Sequence, residues 1–125
     1  MTSIITEGNA GTDAELRYTQ AGKPVASVTL IVNDRTKNAD GDWVDGATSS
    51  YRVSVWGSPA EHFAASVTKG ARLIVAGELT VREYTDREGQ QRVTREISAE
   101  HAGLSTRFHT VTGHKTEART TTPAA

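Results

Sequence analysis

Cysteine is absent from the 125-residue chain. Its absence excludes disulfides, thiolate metal sites and a cysteine nucleophile, and is compatible with a reducing compartment. Long apolar runs are missing too. No stretch approaches the roughly 20 residues that span a bilayer. Met1 to Ala10 has neither the basic start nor the apolar run of a signal peptide. The expectation is a soluble protein that stays inside the cell.

Catalytic signatures are also lacking. There is no HExxH pair, no G-x-S-x-G elbow and no phosphate-cradling glycine loop. His62, His101, His109 and His114 do not fall at ligand spacing with one another or with acids. No catalytic residue, metal ligand or cofactor site is therefore expected, and the chain reads as a non-enzyme. An excess of positive charge is missing as well: 14 lysines and arginines meet 15 acidic residues, a net charge of -1. Residues 1–106 carry 11 cations against 14 acids. Proteins that bind duplex nucleic acid are usually basic overall, so any nucleic-acid contact must rest on where the cations sit.

What is present is period-two alternation, the strand signature. Ala26, Val28, Leu30 and Val32 share one face of a strand. Tyr51, Val53 and Val55 oppose Arg52, Ser54 and Trp56. Leu73, Val75, Gly77, Leu79 and Val81 oppose Arg72, Ile74, Ala76, Glu78, Thr80, Arg82 and Tyr84. A short opening strand covers Ser3 to Glu7, and a last one Arg92 to Ala99. One helix interrupts them. Ser58 reads as its cap, Pro59 as its first residue and Glu61 as the capping-box partner, and Gly70 as its stop. Ala60, Phe63, Ala64 and Val67 form its apolar stripe. Asp34 to Thr48 and Thr85 to Gln91 read as polar, turn-rich loops able to project as arms. The predicted fold is all-β with one helix: a five-stranded Greek-key OB-fold barrel, the helix between strands 3 and 4. The domain covers residues 1–105, and residues 106–125, polar and aperiodic, read as a disordered tail.

Trp56 and Tyr84 end the polar-facing rows of their strands, beside Arg52 and Arg82. A ring beside a guanidinium on a solvated face suits unpaired bases, with stacking on the ring and the cation on a phosphate. The same spacing suits a Trp56 packed under the helix and a Tyr84 covering a hairpin, and spacing alone does not choose. Trp43, near Lys37 in the first long loop, either reaches a base or folds back to anchor the loop, the second being slightly favoured. Arg87 and Arg92 sit on a charged hairpin tip. They track a DNA backbone in one reading and decorate a solvated turn, the commoner outcome, in the other.

Three stretches carry a resemblance: Glu7-Gly8-Asn9 through Gly22-Lys23-Pro24 to Leu30; Tyr51-Arg52-Val53-Ser54-Val55-Trp56-Gly57; and Val75 to Asp86 with Glu88-Gly89. In order, over roughly residues 3–104, they resemble bacterial single-stranded-DNA-binding proteins. The resemblance implies an OB-fold, usually a homotetramer, that wraps single-stranded DNA during replication, recombination and repair, in the cytoplasm with the nucleoid. It implies stacking at Trp56 and Tyr84, phosphate contacts from Arg17, Arg52, Lys69 and Arg82, a motif asparagine at Asn9 and a subunit contact at Tyr51. Three departures stand out. Thr36 replaces a first-loop tryptophan, with Trp43 a possible substitute. Ser50 replaces an aromatic. The chain ends Thr122-Pro123-Ala124-Ala125 rather than in an acidic tip, so recruitment of replication and repair enzymes through such a tip is not expected. That ending suits an accessory paralogue, a mobile-element copy or a processed form. The departures and the acidic balance also motivate an alternative, an OB-fold assembly module with weak or lost DNA affinity.

Overall fold

The alternation of Ala26, Val28 and Leu30 with Val53, Val55, Leu73, Val75 and Ile97 builds the barrel: these side chains are all buried and converge in one core. A computed structural model describes residues 1–115. Among them lie strands β1 (Thr2–Ala10), β2 (Glu15–Tyr18), β3 (Pro24–Lys37), β4 (Trp43–Trp56), β5 (Arg72–Thr85) and β6 (Gln91–Leu104), with helix α1 (Ser58–Ser66) between β4 and β5. The sheet order is β1-β5-β6-β4-β3-β2, and β1 also pairs with β3. The five long strands thus close on themselves as a mixed barrel of the OB type, in which only β4 and β6 run parallel. The short β2 continues β3's free edge; it is the strand that sequence periodicity does not show, since four residues are too few to alternate.

Close approach of backbones sets the closure. β5 and β6 shift register between Ala76 and Gly77. A side chain at Gly77 would collide with the Ser98 carbonyl and the Ala99 Cα. Only a residue without Cβ lets the strands meet there.

The helix departs from the sequence expectation at both ends. Its cap is Gly57, not Ser58, and no side chain caps it. The chain must turn sharply off β4, and Gly57 does so at φ 82°, a region open to glycine. Its N–H is taken by the Pro24 carbonyl at 3.0 Å. The helix ends at Ser66, four residues before Gly70, because Val67 is extended and buried. The Val67 carbonyl accepts the Ala14 N–H (3.1 Å), and Gly70 instead donates to Ala10 (2.8 Å) in the turn into β5. Ala60, Phe63 and Val67 form the buried stripe as expected. Tyr18 pins β2 to the helix, its hydroxyl donating to Glu61 Oε1 at 3.1 Å.

The first polar loop is largely strand, whereas the second, Thr85 to Gln91, is a turn as expected, with one residue of strand at each end. β3 runs to Lys37 and β4 resumes at Trp43, leaving a tight turn in which Asn38 Oδ1 accepts the N–H groups of Asp40 (2.9 Å) and Asp42 (3.0 Å). β5 and β6 meet in the second turn, where Asp86 Oδ1 accepts from Glu88 and Gln90, both at 2.9 Å. The β3–β4 arm buries no face, so it lacks the apolar alternation that betrays a strand. β4 and β6 run parallel, so both arms leave the same end of the barrel.

A half-buried ion pair ties β1 to β5. Arg72 Nε meets Glu7 Oε2 at 2.7 Å, and Ser105 Oγ donates to Glu7 Oε1 at 3.2 Å. The Arg72 hydrogen bond, opposed by desolvation and helped by Ser105, holds the Glu7 carboxyl below the usual glutamate value. A depressed folded pKa contributes stability that is complete above the unfolded value and is lost as pH falls through the folded one. Glu15 and Asp86 are lowered as well, each first by a neighbouring arginine, and act in the same sense. The melting temperature is expected to hold between about pH 7 and pH 5 and to fall below about pH 4. Glu7→Gln should flatten that fall in a scanning-fluorimetry series. From Thr106 to Lys115 the chain forms neither helix nor strand. Phe108 packs on the Arg72 guanidinium (5.1 Å to the ring centroid). Val111 to Gly113 line a groove of about 410 Å³ against α1 and the end of β6. The remainder of the expected tail, residues 116–125, lies outside the described residues.

Candidate nucleic-acid interface

The outer face of β2, β3, β4, β6 and β5 is polar and open. Register defines its rows. Arg17 faces Val25, which faces Trp56; Thr29 faces Arg52, which faces Glu96, which faces Thr80. Between them Ser27, Ser54 and Ser98 form a hydroxyl row with Glu78. Farther out, Arg82 faces Thr94 and Tyr84 faces Arg92. Trp56 is 45% exposed and Tyr84 52%, so neither ring is sealed in the interior. Of the two readings that spacing left open, the structure selects exposure for both. Trp56 and Tyr84 are about eight residues apart along the strand direction, roughly 25 Å at strand rise.

Trp43 joins this face through a β-bulge. Between Asn33↔Thr48 and Arg35↔Asp45, β3 advances by two residues and β4 by three. On β4 the even-numbered Trp56, Ser54, Arg52, Ser50 and Thr48 point outward; past the bulge the odd-numbered Asp45 and Trp43 do. An extra residue re-aims the side chains that follow it. Trp43 therefore pairs with Lys37 on the outer side and is 59% exposed, with Lys37 Nζ 5.2 Å from its ring centroid. It does not fold back to anchor the arm. Thr36 pairs with Val44 on the other side of the same arm. Deleting Ala47 removes the extra residue and turns Trp43 over. The expected result is an oligo-dT affinity no better than that of Trp43→Ala, about fivefold or more below the unmodified chain if stacking contributes at least about 1 kcal/mol. Fluorescence anisotropy of labelled DNA checks it.

The cations divide into free and engaged. Arg52 makes only a weak contact with Ser27 Oγ, at 3.3 Å. Arg82 leans on Glu96 at 3.6 Å, an exposed pair. Such pairs contribute about 0–1 kcal/mol, so a phosphate can take Arg82. Arg17 is held by Glu15 at 2.9 Å on the row of Trp56. Arg87 sits exposed at the arm tip. Arg92 is spent on the turn, its Nε 2.9 Å from Asp86 Oδ2. Two expected site residues are not brought onto this track. Asn9 is half-buried where β1 closes on β3, its Oδ1 3.5 Å from Arg72 Nη1. Lys69 lies in the α1–β5 turn, its backbone N–H on Asp13 Oδ1 at 2.7 Å. Tyr51 leans against the core, facing Leu30. Arg72 is tied to Glu7.

Not every acid near the track faces it. Glu83 pairs with Val93 on the far side of the β5–β6 arm from Tyr84, and strand alternation turns Asp34 away from Arg35. Glu78 does lie on the face, and Glu96 joins it between Arg52 and Arg82, a position that only register reveals. Lys23, its Nζ 5.6 Å from the Trp56 ring centroid, is the functional candidate that sequence reasoning misses. The Gly22-Lys23-Pro24 stretch gives it no role, because its proximity to Trp56 is made by the pairing of β3 with β4.

A closed OB barrel with exposed rings and cations spread over one outer sheet face defines a binding protein for unpaired nucleic acid. The model of the "Single-strand binding protein family" matches residues 1–105. The single-stranded DNA-binding protein of Paenarthrobacter aurescens is 38% identical over 117 residues, 93% of this chain and 68% of that protein. That of Mycobacterium tuberculosis is 37% identical over 115 residues, 91% and 70% of the two chains. The crystal structure of a small single-stranded DNA-binding protein from Streptomyces coelicolor superimposes with a TM-score of 0.74 at 30% identity, covering 84% of this chain and 94% of that one. The chain belongs to the single-strand binding protein family, whose members bind DNA without catalysing a reaction.

Proposed function

We propose that the chain binds single-stranded DNA independently of sequence, stacking bases on Trp56, Tyr84 and Trp43 while Arg17, Arg52, Arg82, Lys37 and Arg87 meet the phosphates. Two half-exposed rings at opposite ends of one polar sheet face carry this reading. A folded chain gains nothing from leaving an indole and a phenol in water, whereas every unpaired base offers a π face to such a ring. Duplex DNA keeps its bases stacked on each other, so the rings have nothing to take. The role is support of replication, recombination and repair in the cytoplasm, at the nucleoid.

A homotetramer is part of the proposal. Ile5 (80% exposed) and Ile74 (43%) lie on the outer side of β1 and β5 and offer apolar surface to a second copy. Several subunits on one strand would offset the modest cation count by multivalency. Titration with oligo-dT tests the whole reading. Tryptophan emission should fall on binding, and log K should decline with log salt by about 0.7 for each phosphate neutralised. Light scattering on the same samples reports the subunit number. No change in emission or mass at low salt would remove the DNA-binding reading and leave the barrel an assembly module.

A further inference from the structure

Sequence reasoning gives Lys23 no role of its own, but its backbone is hydrogen-bonded through both N–H and carbonyl. It closes the β2–β3 turn. Thr19 N–H donates to its carbonyl (2.9 Å), its own N–H donates to Thr19 Oγ1 (3.1 Å), and Gly22 N–H donates to the Thr19 carbonyl (2.8 Å). The next carbonyl, Pro24, accepts the N–H of Gly57, and Val25 faces Trp56 across the ladder. The main chain on both sides of Trp56 is thus bound to the main chain that carries Lys23, and only the lysine stem is free to move.

That stem lies over the indole, with Nζ 5.6 Å from the ring centroid. Among the described residues Lys23 has no carboxylate within ion-pair distance, whereas Arg17, Arg72, Arg82 and Arg92 each have one. The ring is its one partner. The same arrangement recurs at the other end of the track, where Lys37 covers Trp43 at 5.2 Å.

We infer that Lys23 is a further phosphate-contacting residue coupled to Trp56: in the free protein it covers the indole, and an incoming base takes the ring and transfers the ammonium to the adjoining phosphate. This rests on the reading of Trp56 as a stacking platform. An exposed ammonium–ring contact is weaker than a stacked base, so the base displaces the lysine. The displaced ammonium cannot leave, because the turn holds its backbone beside the ring. It then meets the charge that arrives with the base. Arg17, in the same row, is already paired with Glu15, so Lys23 is the readier cation at this end.

The test compares the full chain with Lys23→Met, which keeps the stem and removes the charge, and Lys23→Arg, which keeps the charge. Binding of end-labelled oligo-dT is followed by anisotropy over a series of sodium chloride concentrations, so that the signal does not depend on Trp56. Lys23→Met should lower the salt slope by about 0.7 for each subunit the strand contacts, the increment of one phosphate on a single strand. Its affinity loss should be largest at low salt. Lys23→Arg should keep the slope of the unmodified chain. A Lys23→Met variant that binds with an unchanged slope overturns the inference while leaving the DNA-binding reading intact. Failure of the unmodified chain to bind overturns both. Melting curves on all three proteins confirm that each is folded.

Discussion

The double variant Trp56→Ala, Tyr84→Ala is expected to lose most of its affinity for oligo-dT while keeping its melting temperature. Stacking contributes roughly 1–3 kcal/mol per base, which is about 5- to 150-fold for each ring. The rings are about 25 Å apart along the sheet, and substitutions at that separation with no shared partner add. The pair should therefore cost about 2–6 kcal/mol in binding. Both rings are about half exposed, so truncation opens no core cavity. Loss of binding with a normal melt separates contact from folding. Anisotropy of labelled DNA is the measurement, since removing Trp56 alters the protein's own emission. Unchanged affinity in the double variant would place the bases elsewhere on the barrel.

Gly77→Ala is expected to damage folding rather than binding. Its new methyl group would sit inside the contact distance of the Ser98 carbonyl and the Ala99 Cα, both main-chain atoms that cannot rotate away. The β5–β6 ladder would have to separate at its register shift. Forcing atoms into a packed interior costs about 1–3 kcal/mol, and rigid backbone neighbours place this case at the upper end. A loss of about 3 kcal/mol lowers the melting temperature of a domain this size by about 12–24 °C. Gly103→Ala on the same strand pair is the control. Nothing lies within 4 Å of its added Cβ, and stiffening the unfolded chain should leave stability equal or slightly higher. Equal melting temperatures for the two variants would show that the strands at Gly77 have room to spare.

The core and the barrel strands were legible because burial on one side of a pleated strand imposes a period of two. Ala26, Val28 and Leu30, and Val53 with Val55, announce their inward face. The same pattern assigns Arg52 and Trp56, and likewise Arg82 and Tyr84, to the outer face. The β3–β4 arm is not legible as strand, unlike the β5–β6 arm. Its pairing is made by main-chain hydrogen bonds that any polar residue can join, so no side-chain signal records it. The helix cap lies one residue before the position its composition indicates. Ser58-Pro59-Ala60-Glu61 carries the composition of a capping box, but the direction in which the chain leaves β4 required a glycine at Gly57.

Sequence by itself determined the five strands of the barrel wall, which side of each meets the core, and that rings and guanidinium groups share the solvated side. These are local properties, set by pleat and by burial. Tertiary structure alone decided what stands beside what. The bulge that turns Trp43 outward, the placement of Lys23 over Trp56, the commitment of Arg72 to Glu7 and the position of Glu96 between two arginines all depend on strand register. Register is a relation between distant segments, chosen by how the whole barrel closes, and no single stretch of chain carries it.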